Sequence, residues 1–242
     1  MSTEKSNNEI KKTKVYNVII LDCSGSMSNI RGTAIDSFNE TISGIKRAQE
    51  KHADTQEHFI TLVTFCGCSI KHVMDMKPAD KAKPITWKDY EPCCNTPLFD
   101  AIGITLTKVF KYVKDIEDYA VVVTIITDGY ENASKEYSGM TIKKIIKKFR
   151  RDGWVFTYLG ANQNSIEVAS GLSINNASDY EFSDNGFRSS IRNNTNTNLK
   201  FFGKLAMFKQ DPDIPQDPNE RRQKYATIFD KTFNEDMDDD NK

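Results

Sequence analysis

Apolar runs of strand length alternate along the chain with segments whose apolar positions recur every three or four residues. Val15 to Leu21 (VYNVIIL) is a nearly unbroken apolar run, the pattern of a strand covered on both faces. From Ile30, apolar residues return at Ala34, Phe38, Ile42 and Ile45, which predicts an amphipathic helix over 28–49. His58 to Phe65 reads as a second strand. Cys66-Gly67-Cys68 can turn the chain into an edge strand over 69–76, forming an antiparallel hairpin. Leu98, Ala101, Ile102, Thr105, Leu106, Val109 and Val113 keep helical order, and Pro97 suits the first turn of that helix. Tyr119 to Thr127 (YAVVVTIIT) is the most apolar strand and is expected at the sheet centre. A helix over 141–151 places Ile142, Ile145, Ile146 and Phe149 on one stripe. A strand over 154–159 follows, with Trp154, Phe156 and Tyr158 alternating into the core. Weaker patterns predict a short helix over 165–169, a strand over 180–182 and a helix over 186–192. After Phe208 the stretch QDPDIPQDPNE reads as a linker, followed by one short helix and a disordered acidic tail over 234–242.

Strands alternating with helices imply an α/β fold: a doubly wound, mostly parallel central sheet with one antiparallel edge strand and helices on both faces, in the Rossmann-like manner. The expected layout is a flexible lead-in over 1–14, one domain over 15–208, and a polar linker with an acidic tail over 209–242. The 242 residues suffice for one substantial core. A net charge of -1 provides no field that would favour nucleic acid or a membrane surface. The apolar runs are too short to span a bilayer, and residues 1–14 have no apolar leader, so a cytoplasmic placement with reduced thiols is expected. Five cysteines are present: Cys23, Cys66, Cys68, Cys93 and Cys94. Their CxC and CC spacings do not match the CxxC pairs usual in zinc sites, so zinc is not expected there.

In parallel sheets of this kind, ligands collect beyond the carboxyl ends of strands where the strand order reverses. Asp22 ends the first strand and Asp128 the central one. Ser24 and Ser26 follow Asp22 at alternate positions, and Thr96 lies in the loop entering the Leu98 helix. If the first and central strands are neighbours, these five residues converge as two carboxylates and three hydroxyls. An all-oxygen set of limited charge suits Mg²⁺, and Mn²⁺ also fits. DCSGSM alone would be a polar turn with Ser28 capping the next helix, and TDG alone a strand-ending turn. The three elements together at strand ends outweigh those readings. A serine nucleophile is disfavoured because DCSGSM lacks the first glycine of GxSxG, and His52, His58 and His72 fall away from the strand ends. There is no GxxxxGK[ST] loop. An aspartyl phosphotransferase would want a second carboxylate where Ser24 stands. The basic run KKIIKKFRR reads as a solvated helix face.

Asp22-Cys23-Ser24-Gly25-Ser26-Met27 resembles the DxSGSM signature of von Willebrand factor A domains. Asn95-Thr96-Pro97-Leu98 through Ala101-Ile102 resembles that family's threonine loop, and Thr127-Asp128-Gly129 its TDG element. The three occur in the family's order, and the resemblance covers about 15–182; its nearest type is the compact bacterial and phage-borne one. Cys93-Cys94-Asn95 departs from the small residues common at that point of the threonine loop. The resemblance implies a metal-ion-dependent adhesion site. Ser24 and Ser26 would bind the ion directly, while Asp22, Thr96 and Asp128 would bind directly or through water. One position would be left for an Asp or Glu of a protein partner. This implies a metal-dependent protein-interaction module without catalysis of its own. Two other readings use the same crevice: a Mg²⁺-dependent phosphoryl-transfer or hydrolytic enzyme, and a structural or assembly protein with an incidental metal site.

Overall fold

The computed structural model describes residues 11–161 and 164–240. Six strands form one sheet: β1 (Thr13–Asp22), β2 (Gln56–Cys66), β3 (Ser69–Pro78), β4 (Tyr119–Thr127), β5 (Val155–Gly160) and β6 (Asn176–Asp179). Their order is β3-β2-β1-β4-β5-β6. All neighbours run parallel except β2 and β3, which form the expected antiparallel edge hairpin. From β1 the chain winds first towards β3, then returns to add β4, β5 and β6 on the other side. The switch point therefore lies between β1 and β4, whose apolar runs are buried on both faces.

Alternate residues of β1 serve opposite layers. Tyr16, Val18 and Ile20 face α2 (Leu98–Val113) and α3 (Gly139–Arg151) in a core with Leu106, Val109, Ile142, Ile146 and Phe149. Ile19 and Leu21 face α1 (Arg31–Lys51), whose Ala34, Phe38, Ile42 and Ile45 fill the other side. A short 3₁₀ turn over Gly25–Ile30 precedes α1. The small α4 (Ser165–Gly171) leads into β6.

Four sequence expectations need correction. The edge strand on the β5 side pairs over Asn176–Asp179, not over 180–182. Tyr180 is buried beyond the strand end, so its apolar pattern reported burial rather than pairing. The helix expected over 186–192 is α5 (Asp184–Phe208), 25 residues long. Its middle was hidden because polar side chains occupy inward positions: Asn194 and Thr197 are buried, with Asn194 Nδ2 donating to Thr124 Oγ1 at 3.3 Å. The supposed tail holds α6 (Pro218–Asp240), whose Tyr225, Phe229 and Phe233 pack with Phe201, Phe202 and Leu205 of α5 against Val15, Ala120, Val122 and Val155. Acidic residues dominate the composition of this segment, but three aromatics at four-residue spacing give it a buried stripe. Finally, of the lead-in, residues 1–10 lie outside the described residues, and Thr13 already belongs to β1 and is fully buried.

The C-terminal helices are tied down at the opposite end of the sheet from the switch point. Asp118, just before β4, receives Lys209 Nζ at 2.5 Å and Thr13 Oγ1 at 3.1 Å on Oδ2, and Tyr225 O–H at 2.9 Å on Oδ1. Both charged side chains are almost completely buried. Gly153, in the α3–β5 turn, has φ +85, and α6 crosses so close that a Cβ there would lie 2.5 Å from the Arg222 backbone. Among the described residues no helix is long and apolar enough to cross a membrane.

Candidate metal centre

The β1/β4 register sets the site. Leu21 opposes Ile126, so Asp22 ends level with Thr127, and Asp128 stands one residue further out. Asp22 is fully buried: its Oδ1 accepts the Ser24 amide at 2.7 Å and its Oδ2 accepts the Thr127 hydroxyl at 2.6 Å. The first of these bonds closes an Asx turn that directs Ser24 outward over the strand end. Ser24 Oγ lies 3.2 Å from Ser26 Oγ, and both hydroxyls stand beside the Asp128 carboxylate. Ser24 and Asp128 are buried, while Ser26 is exposed at the mouth.

Thr96 arrives from the other side. Its amide donates to Asn132 Oδ1 at 2.8 Å and its carbonyl accepts the Asn132 amide at 3.2 Å, which stitches the threonine loop to the loop after β4. A Cβ on Gly129 would meet Thr96 Oγ1 at 3.9 Å, so that hydroxyl stands beside Asp128. The structure thus brings all five sequence-predicted residues, Asp22, Ser24, Ser26, Thr96 and Asp128, to one crevice beyond the carboxyl ends of β1 and β4.

Two carboxylates so placed are costly without a cation. Burial pushes the Asp22 carboxyl up from 3.8 to about 6; the Thr127 and Ser24 hydrogen bonds oppose this and the nearby Asp128 charge adds to it. Burial raises Asp128 as well, against hydrogen bonds from Ser26 and Ser24. The donors are two carboxylates and three hydroxyls, a hard oxygen set that fits Mg²⁺ or Mn²⁺ and offers no soft ligand. Cys23 does not enter it: its side chain turns to the α1 side of the sheet, and burial pushes its thiol up to about 12.

Sequence reading missed the residues that hold the crevice in shape. Tyr90 O–H donates to the Asp22 carbonyl at 2.6 Å, and Tyr180 O–H to the Thr127 carbonyl at 3.2 Å, so a buried phenol fixes each strand end. Burial raises both phenols, with the Asp22 and Asp128 charges adding, so they stay neutral donors. Glu131 accepts the Ala133 and Ser134 amides on Oε1 and the Phe99 amide on Oε2, capping α2 from the neighbouring loop. Asp100 in turn accepts the amides of Lys135, Glu136 and Tyr137. These are local loop carboxylates with no periodic signature. The three histidines serve elsewhere: His52 ends α1, His58 is buried between Asn17 and Gln56 near the start of β2, and His72 faces Asp75 on β3.

No protein-family model and no curated protein matches the chain. Solved structures do. A von Willebrand factor type A protein from Catenulispora acidiphila aligns at TM-score 0.54 and 12% identity, covering 78% of this chain and 43% of that one. Proximal thread matrix protein 1 from the mussel byssus, in a structure with a zinc-occupied MIDAS motif, aligns at TM-score 0.53 and 14% identity, covering 79% and 47%. The pilus adhesin SpaC from Lactobacillus rhamnosus GG aligns at TM-score 0.58 and 12% identity, covering 79% and 30%. The chain therefore spans less than half the length of each of these proteins. The fold is that of von Willebrand factor A domains: a six-stranded, mostly parallel sheet with one antiparallel edge pair, flanked by helices.

Proposed function

We propose that this chain is a metal-dependent protein-interaction module in which Ser24, Ser26, Thr96, Asp22 and Asp128 hold a Mg²⁺ ion that captures an Asp or Glu of a protein partner. The observation that supports it is the meeting of two buried carboxylates with three hydroxyls at the switch point. Ser24, Ser26 and Thr96 are neutral donors, and Asp22, with both oxygens already accepting hydrogen bonds, supplies charge from behind them. A dication held mainly by neutral ligands keeps net positive charge. An incoming carboxylate then balances that charge, whereas burying the same carboxylate without the metal would be costly. The fold neighbour with a metal-occupied site, which holds zinc, lends weight to a divalent cation, and the hardness of this chain's donor set favours Mg²⁺ or Mn²⁺.

The module works by positioning rather than by chemistry. A phosphoryl-transfer reading needs a strand-end carboxylate with an accessible oxygen, and Asp22 is fully buried with both oxygens engaged. Calorimetry with Mg²⁺ tests the first half of the proposal, with uptake expected in the wild type and lost in Asp22→Ala. The second half is tested with surface-displayed peptides carrying one Asp or Glu against the same peptides carrying Asn or Gln. Retention that requires both the carboxylate and Mg²⁺, and that EDTA reverses, is expected. Uptake of Mg²⁺ without carboxylate preference would overturn the capture mechanism.

A further inference from the structure

The cysteines whose spacing argues against zinc come together in space. Cys66 and Cys68 flank Gly67 in the β2–β3 turn, and Cys93 and Cys94 precede Thr96 in the threonine loop. Cys66 Sγ lies 3.0 Å from Cys93 Sγ, and Cys68 Sγ lies 2.7 Å from Cys94 Sγ. The sulfurs of Cys66, Cys68 and Cys93 all fall within 4.8 Å of one another. We propose that Cys66, Cys68, Cys93 and Cys94 form a tetrathiolate site for Zn²⁺, separate from the oxygen crevice, that clasps the β2–β3 turn to the threonine loop.

Geometry supports this assignment. Four sulfurs about 2.3 Å from a tetrahedral zinc lie about 3.8 Å apart; the two close pairs here are tighter than that, three of the sulfurs already fall within 4.8 Å of one another, and Cys94 stands outside that trio and joins it through Cys68. The two segments are already in register. Gly67 N–H donates to the Asn95 carbonyl at 2.7 Å, and a Cβ on Gly67 would lie 3.1 Å from the Asn95 nitrogen, so glycine lets the turn approach without displacing the threonine loop. Cys94 has φ 57, a left-handed conformation that a residue other than glycine adopts at a cost. Spacing rules from sequence miss the site because each ligand pair is too close for a CxxC knuckle; the second pair comes from a different loop.

Two disulfides, Cys66–Cys93 and Cys68–Cys94, are the competing outcome. The second would join segments already linked two residues away, and so would remove little further chain entropy. It would also need an oxidant. Zinc uses all four donors at once: Zn²⁺ displaces four thiol protons, and no electrons are transferred.

The test uses the full chain, purified reduced and loaded with Co²⁺ or Zn²⁺. Thiolate-to-cobalt charge-transfer absorption is expected in the wild type and in Asp22→Ala, with loss in Cys68→Ser/Cys94→Ser, where both replaced residues are exposed. Because Asp22→Ala removes the oxygen crevice but not the thiols, failure of the zinc site and failure of the adhesion-site reading give different patterns. X-ray absorption at the zinc edge of the wild type, loaded with no more than one equivalent of zinc in excess Mg²⁺ so that the oxygen crevice is filled by magnesium, needs no variant, and a sulfur-only shell is expected. An oxygen-dominated shell, no cobalt–thiolate absorption, or non-reduced mass spectra showing both disulfides in the purified chain would each overturn the proposal.

Discussion

Replacing Asp22 by Asn should make the metal-free chain more stable while removing its response to divalent cations. The magnitude follows from the carboxyl's titration, which moves from 3.8 to about 6 on folding, chiefly through burial. Below 3.8 both folded and unfolded chains hold the proton, and the group does not oppose folding. Between 3.8 and 6 the unfolded chain has released a proton that the folded chain keeps, so stability falls as pH rises. Above about 6 both forms are ionised and the whole cost of burying the charge is present. The gap between 3.8 and about 6, at about 1.4 kcal/mol per pH unit, amounts to about 3 kcal/mol.

Asn can replace the carboxylate without stranding a polar atom. Its Oδ1 would accept the Ser24 amide, and its Nδ2 would donate to Thr127 Oγ1, whose own proton can go to the Gly129 carbonyl, 3.1 Å away. Urea unfolding followed by circular dichroism in EDTA at about pH 7.5 should then show a higher midpoint for Asp22→Asn with an unchanged slope. The difference should shrink as the pH is lowered through this range and close below 3.8, where the wild-type carboxyl is protonated in both states. Mg²⁺ should raise the midpoint of the wild type alone. A variant no more stable than wild type in EDTA, or a gap insensitive to pH, would refute the buried-charge argument. Equal stabilisation of both proteins by Mg²⁺ would refute the role given to Asp22.

Asp118→Ala should cost about 3–5 kcal/mol in chemical denaturation, because it leaves the Lys209 ammonium buried and unpaired. Gly153→Ala should cost at least about 1 kcal/mol, since its φ of +85 and the Arg222 backbone both oppose a Cβ; a neutral result by thermal melting would place α6 elsewhere. Phe229→Ala should cost about 3–5 kcal/mol and lower the protection of β4 and β5 amides in hydrogen exchange, as expected if α6 is part of the core rather than an appendage. Cys68→Ser/Cys94→Ser should weaken Mg²⁺ uptake about tenfold by calorimetry while leaving the melting of the rest of the domain little changed, because the clasp steadies the loop that carries Thr96.

How much of this was visible in the sequence depends on what each residue advertises. The strands β1 and β4 were legible because strands buried on both faces are continuous apolar runs, and α2 because its inward positions are mostly apolar and keep helical spacing. The middle of α5 was not, since Asn194 and Thr197 sit where an apolar residue would have marked the inner face. α6 was misread because its acidic composition outweighed three aromatics. The five crevice residues were legible because their loops hang from strand ends whose positions the apolar runs already set. Tyr90, Tyr180 and Glu131 were not, because their partners are backbone groups far away in sequence or in irregular loops. The thiol cluster shows the same limit: spacing rules describe ligands within one knuckle, whereas this pairing is made by the tertiary approach of Gly67 to Asn95.

A site built largely from hydroxyls binds a dication only if its donors are held before the ion arrives, since neutral ligands contribute little attraction with which to organise a loop. The scaffold supplies that order from outside the crevice. Tyr90 and Tyr180 fix the carbonyls of the two strand ends, and the Asn132 bonds fix Thr96 against the TDG loop. The Cys94 carbonyl accepts the Gly25 amide at 3.0 Å and the Cys23 carbonyl accepts the Cys93 amide at 2.9 Å, so the serine turn and the threonine loop share a backbone seam. A tetrathiolate ion in Cys66, Cys68, Cys93 and Cys94 would lock that seam on its outer side. Its presence would then set how tightly the oxygen site holds Mg²⁺, and through it how firmly the module grips a carboxylate.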